Sequence, residues 1–213
     1  MIRTAFLVSG RGLLLEQTIL ASKAGLIDAD IRLVLGDRAC GALRLAGKYG
    51  IESSNLDYQS NSEEVFFSAM KGLLESHGID LVCLAFDRLI PSAIFETYPC
   101  FNVHSSLLPA FPGFRTFEKA RERGVKFVGA TIHRADASVD GGPIIIQSVR
   151  PVAPFTSPEE MGAVTFGDLR RMLPQAIQWF AEGRMEEREK TIIIRKASYE
   201  GVFINPALEE KFV

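Results

Sequence analysis

Two hydrophobic rhythms alternate along the first hundred residues. Ala5-Phe6-Leu7-Val8, Ile31-Arg32-Leu33-Val34-Leu35 and Asp80-Leu81-Val82-Cys83-Leu84-Ala85 are short, nearly unbroken apolar runs, the pattern of strands buried on both faces. Longer amphipathic stretches separate them and predict helices beginning near Leu13, from about Gly41 to Tyr49 and from about Glu63 to His77. A short helix near Pro91 to Glu96 precedes a further strand carrying Asn102 and His104. This β-α alternation predicts an α/β, Rossmann-like fold, a mainly parallel sheet with helices on both faces. In such sheets ligands bind at the carboxyl ends of strands.

Beyond His104 the rhythm changes. Gly129-Ala130-Thr131-Ile132-His133 and Ile144-Ile145-Ile146-Gln147-Ser148-Val149 read as strands. The interval from Ala135 to Pro143 is too short for a crossover, so an antiparallel hairpin is expected there. A long helix is expected from about Pro158 to Glu182, with a kink or break at Pro174. Thr191-Ile192-Ile193-Ile194 reads as one more strand. With no repeat, low-complexity tract or linker, residues 1–213 read as one domain, a core of about 4–184 followed by a strand-bearing region 185–213.

Composition narrows the function classes. The 213 residues are 47% hydrophobic, enough for one sizeable core. A net charge of -2 gives no electrostatic footprint for nucleic acid or an anionic membrane. No apolar run is long enough to span a bilayer, and Met1-Ile2-Arg3-Thr4 leads into a strand rather than a signal peptide. Cys40, Cys83 and Cys100 form no Cys-x-x-Cys pair and read as free thiols in a reducing, cytoplasmic setting, with no zinc site.

The candidate chemistry lies between Phe101 and Pro143. There the chain reads Phe101-Asn102-Val103-His104-Ser105-Ser106-Leu107-Leu108-Pro109, then Phe111-Pro112-Gly113, then Val139-Asp140-Gly141-Gly142-Pro143. Asn102 supplies a non-titrating donor for a developing oxyanion. His104 can relay a proton or donate a second hydrogen bond. Asp140 can hold the imidazole and favour its charged form. Taken singly, a turn-forming Asn, a capping His and an Asp in a tight turn would explain the same residues. Their combination and order carry the functional reading.

That combination resembles the folate-dependent formyltransferase family, most closely its glycinamide ribonucleotide branch, over Thr4 to about Arg184, where Trp179-Phe180-Ala181-Glu182-Gly183-Arg184 is also family-like. The resemblance implies a formyltransferase fold and catalytic roles for Asn102, His104 and Asp140. It also implies transfer of a formyl group from 10-formyltetrahydrofolate to an amine of a small molecule, without metal, by a monomer or homodimer. The donor's pterin is expected against Arg88, Leu89 and Ile90 and against the loop Ala135 to Gly141, including Val139 and Gly141. The acceptor's phosphate is expected at Gly10, Arg11, Gly12 and Leu13.

Several positions depart from that pattern. The family usually continues the first turn as Gly-Ser-Asn, whereas Gly12-Leu13-Leu14 stands here. Glu63 aligns with a basic residue, and the acidic residue that the family uses to hold the acceptor falls near Leu169, beside Asp168. The acceptor therefore stays open between glycinamide ribonucleotide and another amine. Water is a third possibility, because Pro109-Ala110-Phe111-Pro112-Gly113 and Arg123-Gly124-Val125-Lys126 resemble the formyltetrahydrofolate hydrolases, although the regulatory N-terminal domain of that branch is not in the sequence. A folate-binding scaffold is the non-enzymatic alternative. Asp37 after the second strand leaves a dinucleotide reading in view, but Leu15 replaces the third glycine of the motif. His77 before Gly78 reads as a helix cap, and His133 can either pack or face the pocket.

Overall fold

The computed structural model describes all 213 residues and forms two compact units, Met1–Phe101 and Asn102–Val213. In the first, strands β1 (Ile2–Val8), β2 (Ala29–Gly36), β3 (Glu52–Asn55) and β4 (Leu81–Ala85) lie in the order β4-β1-β2-β3, all parallel. Helices α1 (Leu13–Lys23), α2 (Gly41–Lys48), α3 (Glu63–Ser76) and α4 (Ser92–Phe95) make the connections. The apolar runs fill the core: Phe6, Leu33, Leu35 and Leu81 are fully buried. β3 escaped the sequence pattern because Glu52-Ser53-Ser54-Asn55 contains no apolar residue; it is a polar edge strand recognisable only by its pairing with β2.

The end of α3 bears out the capping reading. Gly78 adopts φ 56, and His77 Nδ1 lies 2.8 Å from the Leu73 carbonyl while Nε2 lies 3.1 Å from Glu52. Glu52 and that carbonyl raise the imidazole pKa above its ordinary value. At the other end Ser62 caps the helix through the Val65 N–H, and Glu63 and Glu64 complement the dipole.

The second unit takes over within β5 (Cys100–His104) and continues through α5 (Thr116–Glu122), β6 (Phe127–Arg134), β7 (Ile144–Pro151) and α6 (Pro158–Ala181). The order is β10-β7-β6-β5, with β6 and β7 antiparallel as expected and β10 (Ile204–Asn205) antiparallel to β7. β8 (Met185–Arg188) and β9 (Thr191–Ile194) form a separate hairpin. The C-terminal region docks on α6, where Glu209 accepts the Trp179 indole N–H at 3.1 Å and donates its own N–H to Gln175 at 2.9 Å.

Of the kink or break expected at Pro174, the break is corrected. Pro174 does not break α6, which runs unbroken from Pro158 to Ala181 and opens with a Ser157–Glu160 capping box. Proline deprives the carbonyl four residues back of its donor, but Arg170 is exposed to water and its neighbours Leu173, Ala176 and Ile177 are fully buried, so packing offsets the loss. The short helix α5 and the strands β8 and β10 also lacked a readable pattern, being short and rich in charge or confined to two residues.

Candidate active site

Asn102 and His104 sit two positions apart near the end of β5, which puts both side chains on one face. Asp140 comes from the loop between β6 and β7 and adopts φ 53, a left-handed conformation that Asp tolerates better than most residues. The three residues predicted from sequence meet. His104 Nδ1 lies 3.3 Å from Asp140 Oδ2, and Asn102 Nδ2 donates to Asp140 Oδ1 at 3.1 Å.

The turn after β5 closes around them. The Phe111 carbonyl lies 3.0 Å from His104 Nε2, and the Gly113 N–H donates to Asp140 Oδ2 at 2.7 Å. Both nitrogens of His104 therefore face acceptors. Phe111 and Arg115 hold φ values of 55 and 59, and such left-handed non-glycine residues gather where a site fixes its backbone. On the far side, Gly142 is obligatory, since a Cβ there would lie 1.9 Å from the Arg134 carbonyl oxygen.

His133 is the residue whose role the sequence left open. It is buried in β6, its Nδ1 lies 2.9 Å from the Arg134 carbonyl and its Nε2 3.1 Å from Asn102 Nδ2. A carbonyl only accepts, so Nδ1 carries the proton and the neutral ring's Nε2 accepts from Asn102. Both N–H groups of Asn102 are thus engaged, one by Asp140 and one by His133. Its alternation with Thr131 on the inward face was the available signal.

Asp140 has its carboxyl pKa lowered to about 2 by His133, by the Gly113 N–H and by His104, which together outweigh burial. His133 Nε2 lies 3.7 Å from Oδ1, beyond hydrogen-bond range, so its influence reaches the carboxylate through the Asn102 amide that the two share. Gly113 is the close donor. The site thus holds a carboxylate that stays charged across the neutral range between two imidazoles.

The remaining predicted positions fall in different places. Gly10, Arg11, Gly12 and Leu13 form the turn after β1, with Gly12 at φ 86 and no side-chain cap on α1. Leu13 is exposed, but Leu14 is buried in the core. Arg88 follows β4, stacks over the Tyr58 ring at 4.1 Å and donates to Asp37 at 2.9 Å; Leu89 is exposed and Ile90 follows it. Val139 is exposed beside Asp140, and Gly141 lines a cavity of about 550 Å³ with Pro143, Gln147, Ile192 and Tyr199.

Asp37 is fully buried, and Arg38, Arg88 and Ser9 bind its carboxylate, lowering its pKa against the opposing effect of burial. A carboxylate so engaged has little capacity left for ribose hydroxyls, which removes the main support for a dinucleotide site. Asp168 is likewise buried in ion pairs with Arg150 at 2.5 Å and Arg171 at 3.1 Å. No group of three or more His, Cys, Asp or Glu residues is placed to hold a metal ion, and no helix is long and apolar enough to cross a membrane.

The family model described as formyl transferase matches residues 2–177. The chain belongs to the formyl transferase family. It is 33% identical over 193 residues to the chicken trifunctional purine biosynthetic protein adenosine-3; that match covers 88% of the chain but 19% of the relative, so the chain spans about a fifth of that protein. It is 31% identical over 188 residues to Escherichia coli phosphoribosylglycinamide formyltransferase, covering 86% of the chain and 89% of the relative. Among solved structures, glycinamide ribonucleotide transformylase 1 from Symbiobacterium toebii superposes with a TM-score of 0.88 at 36% identity, covering 91% of this chain and 94% of that one. In this formyl transferase the matched span contains Asn102, His104, His133 and Asp140 together.

Proposed function

We propose that this formyl transferase moves the formyl group of 10-formyltetrahydrofolate to the amine of glycinamide ribonucleotide, a step of purine biosynthesis carried out in the cytoplasm. The observation that carries the reading is the convergence of Asn102, His104 and Asp140 within hydrogen-bonding reach in a chain of this family. Residues 1–213 then act as one formyltransferase domain, the family match crossing from one compact unit into the other.

In this mechanism the amine lone pair attacks the formyl carbon and the carbonyl oxygen becomes an oxyanion. Asn102 exchanges its bond to His133 for that oxyanion, a favourable trade because hydrogen bonds to charged acceptors are about twice as strong as neutral ones. His104, held by Asp140, supplies positive charge beside the oxyanion and relays the proton lost by the attacking nitrogen to the leaving folate nitrogen, whose bond to carbon then breaks. Arg88, Leu89, Ile90, Val139 and Gly141 hold the donor, and the Gly10–Leu13 turn holds the acceptor's phosphate.

Hydrolysis is the second reading, favoured by the hydrolase-like segments Pro109–Gly113 and Arg123–Lys126. The same three residues would then activate water. Incubating the chain with 10-formyltetrahydrofolate, with and without glycinamide ribonucleotide, separates the two: amine-dependent tetrahydrofolate release supports transfer, and formate release without amine supports hydrolysis.

A further inference from the structure

Thr131 and Gln147 are direct cross-strand partners on β6 and β7, and neither belongs to the proposed site. The Thr131 hydroxyl and the Gln147 amide nitrogen turn toward the segment after β5. The fully buried Thr131 hydroxyl donates to the Ser106 carbonyl at 2.7 Å and accepts the Leu108 N–H at 3.1 Å. Gln147 Nε2 donates to the Leu108 carbonyl at 2.8 Å and to the Thr131 hydroxyl at 3.0 Å. Each polar hydrogen on these two side chains has a partner; three of the four bonds reach Ser106 and Leu108, and the fourth joins the pair. The hydroxyl of the same Ser106, 2.5 Å from the Ala110 carbonyl and 3.3 Å from that of Phe111, closes the turn that presents Phe111 to His104.

We infer that Thr131 and Gln147 are positioning residues for the reaction: they set the height of the 106–111 turn, so that the Phe111 carbonyl meets His104 Nε2 and fixes where that ring carries its proton. A carbonyl facing Nε2 selects the form with a proton there. If the brace is lost, the strained turn at Phe111, with φ 55, relaxes away from His104 and that nitrogen is left without its acceptor. Gln147 is suited to the task because a neutral amide binds carbonyl and hydroxyl together without adding a charge beside the Asp140 carboxylate.

The inference rests on His104 being the proton-handling group, and its test includes a readout that needs no substrate. Nitrogen-15 spectra of the histidine rings in the full chain are recorded for the wild type, Thr131→Val, Gln147→Leu and Thr131→Ser, with melting temperatures and steady-state kinetics. In the wild type His104 Nε2 shows the signal of a protonated nitrogen. In Thr131→Val and Gln147→Leu it shifts toward that of a bare nitrogen and kcat falls between about 10- and 100-fold, the scale of misplacing a reacting group by up to an ångström, while KM holds. Thr131→Ser restores both. A folded variant with a lower melting temperature but an unchanged Nε2 signal would overturn the inference, because the brace would then be structural only. Should Thr131→Val not fold, Gln147→Leu decides the matter by the same criterion. An altered Nε2 signal in a protein that transfers no formyl group would leave the inference standing and count against the proposed function.

Discussion

Oδ2 of Asp140 lies 3.3 Å from His104 Nδ1 and accepts the Gly113 N–H at 2.7 Å, so one carboxylate oxygen joins the histidine of β5 to the turn that follows it. Asp140 is thus both an electrostatic partner of the imidazole and an anchor for the loop carrying Phe111. Replacing it has two separable consequences.

The first is catalytic. His104→Ala, Asn102→Ala and Asp140→Asn are each expected to lower turnover by on the order of 10²-fold or more while circular dichroism shows an unchanged fold. Asp140→Asn keeps the shape and removes the charge. Turnover near that of the wild type in this variant would remove Asp140 from the mechanism.

The second is a pH dependence of stability. Asp140 has its folded-state pKa lowered to about 2, below the roughly 3.9 of an unfolded aspartate. Its contribution is therefore complete above about pH 4 and is lost as pH falls through about 2. Urea unfolding at about pH 5 and about pH 2 should show a smaller loss of stability in Asp140→Asn than in the wild type, by on the order of 2 kcal/mol. Parallel losses in the two proteins would contradict this assignment.

Gly142 offers a test of the loop. An added Cβ would sit 1.9 Å from the Arg134 carbonyl oxygen, which also receives His133 Nδ1–H, so Gly142→Ala must shift the β6–β7 connection. A destabilisation of about 1–3 kcal/mol, as for other overpacked sites, should accompany a fall in activity. An unperturbed melting temperature would mean that the loop adjusts freely.

Most of the frame was legible because its signals are local. The buried runs at Ala5–Val8 and Leu81–Ala85 and the helix opening at Pro158 need no tertiary information to be recognised. β3 and β10 owe their existence to a partner strand, and nothing in Glu52–Asn55 or Ile204–Asn205 announces it. Within the site, Asn102, His104 and Asp140 stood out by spacing and motif. His133 did not, because its role depends on a rotamer and on a carbonyl one residue away. The bracing by Thr131 and Gln147 was equally hidden, since it depends on the register of the β6–β7 pairing.

The acceptor side yields a quantitative expectation. Leu13 is exposed and Leu14 buried where the family usually has a hydroxyl and an amide, and Glu63 stands in the first turn of α3. A phosphate at the Gly10–Gly12 turn keeps backbone donors and the dipole, worth about 1 kcal/mol, and has Arg11 nearby. It loses two charged hydrogen bonds of roughly 1.5–3 kcal/mol each, which weakens affinity by about 10²-fold or more. Glycinamide ribonucleotide should therefore show a high KM. A KM in the low micromolar range with ordinary turnover would show that Arg11 or another group has rebuilt the phosphate contact.

Whether the Asn102–His104–Asp140 constellation transfers a formyl group to an amine is tested most directly by tetrahydrofolate formation from 10-formyltetrahydrofolate, followed in parallel for the wild type and Asp140→Asn at saturating amine and without amine. Release should require the amine, yield formylated amine in equal amount and fall by on the order of 10²-fold or more in Asp140→Asn. Formate release at the same rate with or without amine, or no release in the wild type with any amine offered, would contradict transfer by these residues.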